Sequence, residues 1–159
     1  VDGADNIYVA DWRNDRVQKF DNSGNYLMSI GSSVTGDSKL LRPSSVAVDS
    51  LGNIYVADWG NERVQVFDDS GVFLNTLRGE ATLSKWAKEY FEANPEEKET
   101  REISDLTPDL PEHLNSPYHV SSQTESYFWG PVSLCIDSDD KLYVVETNRH
   151  RVQIFQGAK

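Results

Sequence analysis

Three carboxylates in this chain each stand five positions ahead of an arginine: Asp11 before Arg16, Asp58 before Arg63, and Glu146 before Arg151. A carboxylate and a guanidinium placed on either side of a short turn can form a bidentate, charge-assisted pair that brackets it. The rival reading is a set of paired carboxylates doing acid/base work. That needs acidic groups facing one cavity, and recurrence in three places argues against a single catalytic centre. One position before each arginine lie Asp15, Glu62 and His150. If their turns shared one rim, these three side chains could converge on Ca²⁺ or Zn²⁺; otherwise they are exposed turn residues. No other cofactor is expected. His113 and His119 form no ligand spacing with each other. Trp12 and Trp59 occupy a slot that holds Thr147 in the third place. They either fill space between neighbouring units or offer shallow pockets for sugars or peptides, since tryptophan joins a large apolar area to an N–H donor. Cys135 stands in the slot of Ala47, where a small buried residue is expected, and nothing beside it would activate a thiol. No nucleophile elbow, phosphate-binding loop or zinc-protease motif appears.

These residues recur because the segments carrying them recur. Asn53-Ile54-Tyr55-Val56-Ala57-Asp58 follows Asn6-Ile7-Tyr8-Val9-Ala10-Asp11 by 47 positions, and Lys141-Leu142-Tyr143-Val144-Val145-Glu146 follows the middle copy by 88. The longer gap implies an insertion of 41 residues between the second and third units. A fixed period of this size marks an array, because one unit alone cannot bury its apolar face. The middle unit is complete and predicts four strands, at 44–49, 53–58, 63–68 and 72–78. Glycine-containing links at 50–52, 59–62 and 69–71 suit tight antiparallel connections. Ile54 and Val56 point to one face while Tyr55 and Ala57 point to the other, so the sheet needs cover on both sides. Sheets stacked radially about an axis provide it.

Asn-Ile-Tyr-Val-Ala-Asp, an Asn-containing turn, and Arg-Val-Gln-Val-Phe resemble the NHL-repeat family. The resemblance implies an all-β fold of β-propeller blades: three four-stranded antiparallel units making half of a six-bladed ring, interrupted by a helical insertion. Blade-like segments are expected at 1–31, 43–79 and 131–156. The chain divides into a first repeat with an incomplete first strand and a linker (1–42), a second repeat (43–79), an acidic helical insertion (80–130) and a third repeat lacking its last strand (131–159). The resemblance also implies binding platforms for protein or RNA, with some relatives carrying amidating lyases or lactonases. NHL-like lyases place metal-binding histidines near the slot of His150; here the matching slots hold Asp15 and Glu62, so a three-histidine site is not expected. Two functions therefore stand. One is a noncatalytic propeller scaffold binding a protein or small ligand through rim turns and the helical insertion, with Arg13, Asp15, Glu62, Arg149, His150, Trp12 and Trp59 as candidate contacts. The other is part of a lactonase-like or lyase-like propeller with a metal in the axial cavity. The ring would be completed by another copy or by further blades.

The net charge is −11, and 80–130 holds eleven Asp and Glu against four Lys and Arg. Phosphate binding draws on clustered cations, so nucleic acid is not an expected partner. No apolar run approaches the ~18 residues of a membrane helix, and no signal peptide precedes Val1. A soluble protein of open compartment is expected. Within the insertion, Leu83, Trp86, Ala87, Tyr90 and Phe91 recur at helical spacing. A second helix, with Asn94 as its cap and Glu97 placed for a capping box, should run to about Ile103. Pro108, Pro111 and Pro117 mark an irregular return to Tyr127-Phe128-Trp129. This aromatic run and the face of Trp86, Tyr90 and Phe91 either pack on the blades or receive a partner. Excising 80–128 should then leave the blades intact.

Overall fold

The computed structural model describes residues 1–31, 38–106 and 109–156; Pro108 lies outside them. Its β-structure is three antiparallel sheets of three, four and three strands. The first sheet contains β1 (Ile7–Asp11), β2 (Arg16–Phe20) and β3 (Tyr26–Ile30). The second contains β4 (Pro43–Val48), β5 (Ile54–Asp58), β6 (Arg63–Phe67) and β7 (Phe73–Leu77). The third contains β8 (Pro131–Ile136), β9 (Leu142–Glu146) and β10 (Arg151–Phe155). Each is a meander in sequence order, as tight glycine turns dictate. Gly71 takes φ +84°, a backbone region that costs a residue without Cβ nothing.

The sheets stack face to face, with β4 beside β8 and β1 against β4. Side-chain alternation assigns the two faces of the middle sheet to different neighbours. Ile54, Val56 and Phe67 join Val17, Ile30 and Leu40 in one core. Tyr55, Ala57, Val64 and Val66 join Phe128, Leu134, Leu142 and Val144 in the other. Cover on both faces, read from the alternation of β5, is met by one flanking sheet on each side.

The outer faces of the first and third sheets have no such neighbour among the described residues. Val64 is 0 % exposed and Val66 6 %, whereas Val152 and Ile154, 88 positions on, are 53 % and 60 % exposed. Ile54 is 0 % exposed and its counterpart Ile7 40 %. Cys135 is likewise exposed, correcting the buried slot expected for it. Ala47 has the third sheet against it, and β8 has nothing equivalent beyond it.

Two insertion helices form where the periodicity puts them: α1 (Lys85–Ala93), capped by the Ser84 hydroxyl accepting from the Ala87 N–H, and α2 (Pro95–Ile103). The capping box does not form. The Asn94 side chain instead donates to the Tyr90 carbonyl, and Glu97 accepts from the Tyr90 hydroxyl. The irregular return contains a further short helix, α3 (Pro117–Gln123), which sequence reasoning missed. Ser116 followed by Pro117 is its cap and first-turn signal. Of the two readings for this aromatic face, packing on the sheets does not hold for Trp86: it is 76 % exposed and, among the described residues, its ring stacks on Tyr90, with ring centroids 6.4 Å apart.

Phe128 belongs to the blades. It is fully buried in the second core, stacks edge to face on Phe155 and donates its N–H to the Arg78 carbonyl at 2.7 Å. It is therefore unavailable as a partner-binding aromatic, and an excision reaching residue 128 would open the core. The two ends of the insertion come together at Gly79, where an added Cβ would lie 2.5 Å from the Ser126 carbonyl oxygen.

Candidate functional site

The links β1–β2, β5–β6 and β9–β10 lie at one end of the three sheets and carry the candidate residues. The first two are single 3-10 turns, Trp12–Asn14 and Trp59–Asn61, closed by Asp15 and Glu62 in the left-handed conformation; His150 takes the same conformation. The five-residue carboxylate–arginine pairs form in every unit, at 2.9 Å for Arg16–Asp11, 2.7 Å for Arg63–Asp58 and 2.6 Å for Arg151–Glu146. Only Arg151 grips its carboxylate with two nitrogens. Arg63 uses its second nitrogen on the Lys39 carbonyl, tying the turn to the linker that enters its own sheet.

Those linkers explain the remaining acids. Asp58 accepts the N–H of Leu41 at 2.6 Å, and Glu146 accepts the N–H of Trp129 at 2.8 Å. One residue further along each linker, Asp15 accepts the N–H of Arg42 at 2.7 Å, and Glu62 accepts that of Gly130 at 2.5 Å. The second and third units thus fasten their entering linkers with the carboxylate ahead of the turn. The first and second units fasten the next unit's linker with the carboxylate that closes the turn. Arg42 and Gly130 both take positive φ, presenting the N–H to the preceding sheet. Asp15 and Glu62 are thus each directed to a linker N–H, and among the described residues no three His, Cys, Asp or Glu side chains are grouped as a metal-binding set.

Electrostatics follow cover. Burial pushes the Asp58 carboxyl up against the opposing hydrogen bonds from Leu41, Asn61 and Arg63. In the first sheet, where nothing equivalent to Leu41 covers the turn, hydrogen bonds from Arg16 and Asn14 lower Asp11. Burial raises Glu62 to about 6; the Gly130 N–H opposes this, and the negative charge of Glu146 adds to it.

Further acids organise the opposite end. Asp49 accepts the N–H groups of Leu51 and Asn53, the Asn53 side chain and the Tyr55 hydroxyl. Asp2 does the same with Ala4, Asn6 and Tyr8, and Asp137 with Asp139, Lys141 and Tyr143. Asp21 and Asp68 fold the β2–β3 and β6–β7 turns in the same way. These side-chain-to-backbone turns were missed in the sequence, although an Asp four positions before an Asn, as at Asp2, Asp21 and Asp49, announces them.

The other candidates divide. Arg149 is held by the carbonyls of Ser121, Ser122 and Thr124 and lies over the Trp129 ring, so it anchors α3. Trp12 and Trp59 stack on each other across two sheets, centroids 5.0 Å apart and planes tilted 36°. The contact spans neighbouring units, the first of the two readings for these residues. Trp12, Arg13 and His150 are exposed, and Trp59 is partly so.

Residues 40–67 and 128–155 match the model of the NHL repeat. Two segments of the chain are thus NHL-repeat matches. Both matched segments begin in a linker and end with the third strand of a sheet, so the Asp58 and Glu146 linker contacts fall inside the repeat. Among solved structures, the fold is similar to a structural genomics protein of unknown function from Bacteroides thetaiotaomicron, with TM-score 0.56 and 17 % identity over 94 % of this chain and 32 % of that one. It is also similar to an auxiliary nutrient binding protein from the same organism, with TM-score 0.51 and 11 % identity over 94 % of this chain and 34 % of that one. A virginiamycin B lyase from Staphylococcus aureus aligns at TM-score 0.43 and 13 % identity, over 98 % of this chain and 53 % of the lyase. The chain thus spans about a third of the length of the first two. No curated protein sequence matches it. Among the described residues no helix is long and apolar enough to cross a membrane.

Proposed function

We propose that this NHL-repeat chain is a noncatalytic scaffold that binds a protein or small ligand at the rim bearing the Trp12 and Trp59 turns, with the helical insertion as a second contact region. The observation that carries this reading is the division of labour at the rim. Asp15, Glu62, Asp58 and Glu146 are committed to linker N–H groups, while Trp12, Arg13 and the stacked Trp59 remain accessible. A paired indole surface beside a guanidinium suits the faces of sugar rings or aromatic and acidic peptide side chains. The exposed Trp86–Tyr90 stack on α1 adds a second aromatic surface. The similarity of fold to an auxiliary nutrient binding protein is compatible with a binding role, although fold alone does not set function.

The same reading includes completion of the ring. Val152, Ile154 and Ile7 hold positions whose counterparts are buried between sheets, so further NHL blades, supplied by another copy or by additional sequence, are the natural cover.

Glycan and peptide arrays probed with the protein and with a Trp12→Ala/Trp59→Ala variant test the rim. The reading expects ligands that the variant loses while its circular dichroism is unchanged. Ligands retained in full by the variant, or turnover of lactone or ester substrates abolished by replacing His150, would defeat it.

A further inference from the structure

Tyr8 shows how this chain seats a cation on an aromatic ring. Its hydroxyl donates to an Asp2 carboxylate oxygen at 2.9 Å, and the Lys19 ammonium lies 3.8 Å from that same oxygen and 5.1 Å from the ring centroid. The insertion contains a second case. The Arg101 guanidinium stands over Phe91, 5.7 Å from its centroid, and is paired with Glu125. A ring face attracts a cation through its quadrupole, and a carboxylate at the edge of the ring adds a charge-assisted hydrogen bond.

The Trp86–Tyr90 face of α1 repeats this arrangement without the cation. The Tyr90 hydroxyl donates to Glu97 at 2.9 Å, as that of Tyr8 does to Asp2. The Asn94 side chain holds the Tyr90 carbonyl at 2.7 Å where α1 gives way to α2, so the Glu97 carboxylate is brought beside the ring. Trp86 lies one helical turn before Tyr90, its plane within 28° of parallel, and Glu89 follows Trp86 by three positions on the same face. Glu89 meets only the well-exposed Lys85, at 3.8 Å, a surface pair that an incoming cation can exchange. Trp86, Glu89, Tyr90 and Glu97 are all exposed, and among the described residues no Lys or Arg lies over either ring. None of the four lines the open groove between β10 and the second sheet, so this face does not depend on what covers the edge of the third sheet.

We propose that Trp86, Tyr90, Glu89 and Glu97 dock an arginine side chain carried by a basic segment of a partner protein. The planar guanidinium stacks on the ring pair and turns its N–H groups to the Glu97 carboxylate, with Glu89 as a second acceptor. Charge selects such a segment over an acidic or neutral one. Residues 80–130 hold eleven Asp and Glu against four Lys and Arg, so the insertion attracts a basic chain before contact is made. The site gives a partner chemistry to the contact role of the insertion and rests on that part of the functional reading, not on the rim.

The test titrates the peptide Gly-Arg-Gly-Arg-Gly into the isotope-labelled 159-residue protein and follows the indole N–H resonances by NMR, that of Trp86 being the one lost in Trp86→Phe. Expected is a saturable shift of the Trp86 resonance. Glu97→Gln, which leaves Tyr90 an acceptor, should weaken binding about fivefold or more. The same peptide with lysine in place of arginine should bind less tightly, and with citrulline, which has the shape without the charge, it should not bind. Trp12→Ala/Trp59→Ala should bind the peptide as the parent does, so failure of the rim and failure of this site are read separately. Absence of saturation up to roughly 10 mM peptide would overturn the assignment. So would unchanged affinity in Glu97→Gln, equal affinity for the lysine or citrulline peptide, or loss of binding in the rim variant.

Discussion

Replacing Glu62 with glutamine isolates the carboxylate that fastens the second sheet to the linker of the third. The side chain is buried and accepts the Gly130 N–H, a bond that a glutamine carbonyl can keep. The substitution removes the charge and turns the second oxygen into an NH2 donor. Burial and the nearby Glu146 raise the carboxyl from 4.5 to about 6, which is a differential of about 2 kcal/mol between its charge states. For an acid raised in the folded state, the native protein holds more protons than the unfolded chain between those two values. The stability contributed by this group is therefore present below pH 4.5 and lost as pH rises through about 6. Glu62→Gln removes that loss. Urea unfolding of both proteins at steps from pH 4.5 to 7.5 should show the variant gaining about 2 kcal/mol on the parent across this interval and holding the gain above it. A difference that stays constant with pH would refute the assignment of the penalty to Glu62. A variant whose relative stability declined with pH would show that Glu62 is stabilised as an anion.

Arg63→Ala leaves Asp58 fully buried without its guanidinium and should cost about 3–5 kcal/mol in urea unfolding. Arg16→Ala, in the same motif but half-exposed, should move the midpoint far less, and similar losses would contradict the role given to linker cover. Phe128→Ala should cost about 3–5 kcal/mol by opening the core shared by the second and third sheets. Trp86→Ala should change stability by no more than about 0.5 kcal/mol, since most of the ring faces solvent; a large loss in thermal unfolding would place Trp86 inside a core. Removing residues 83–115, with a short glycine-containing join and with α3 and its Arg149 anchor left in place, should preserve the β circular dichroism spectrum. Its collapse would make α1 and α2 part of the blade core.

Much of this fold is legible in the sequence because its determinants are local. The strands of each sheet follow one another through turns of a few residues. The alternation of Ile54 and Val56 against Tyr55 and Ala57 demands two covers whatever those covers are. The carboxylate–arginine pairs are five positions apart, so a short turn is enough to join them. The aspartate turns at Asp2, Asp21 and Asp49 were equally local and open to the same reading.

Tertiary structure decided what the repeated residues do. Asp15 and Arg42 are 27 positions apart and Glu62 and Gly130 are 68 apart, so no periodicity reveals that these carboxylates are spent on linker N–H groups. Cys135 and Ala47 hold one slot in the repeat, as do Val152 and Val64, yet one of each pair is exposed. A repeat sequence specifies which side chains face a neighbour. Whether a neighbour is there depends on the stacking of whole sheets, and only that stacking separates an exposed valine from a buried one.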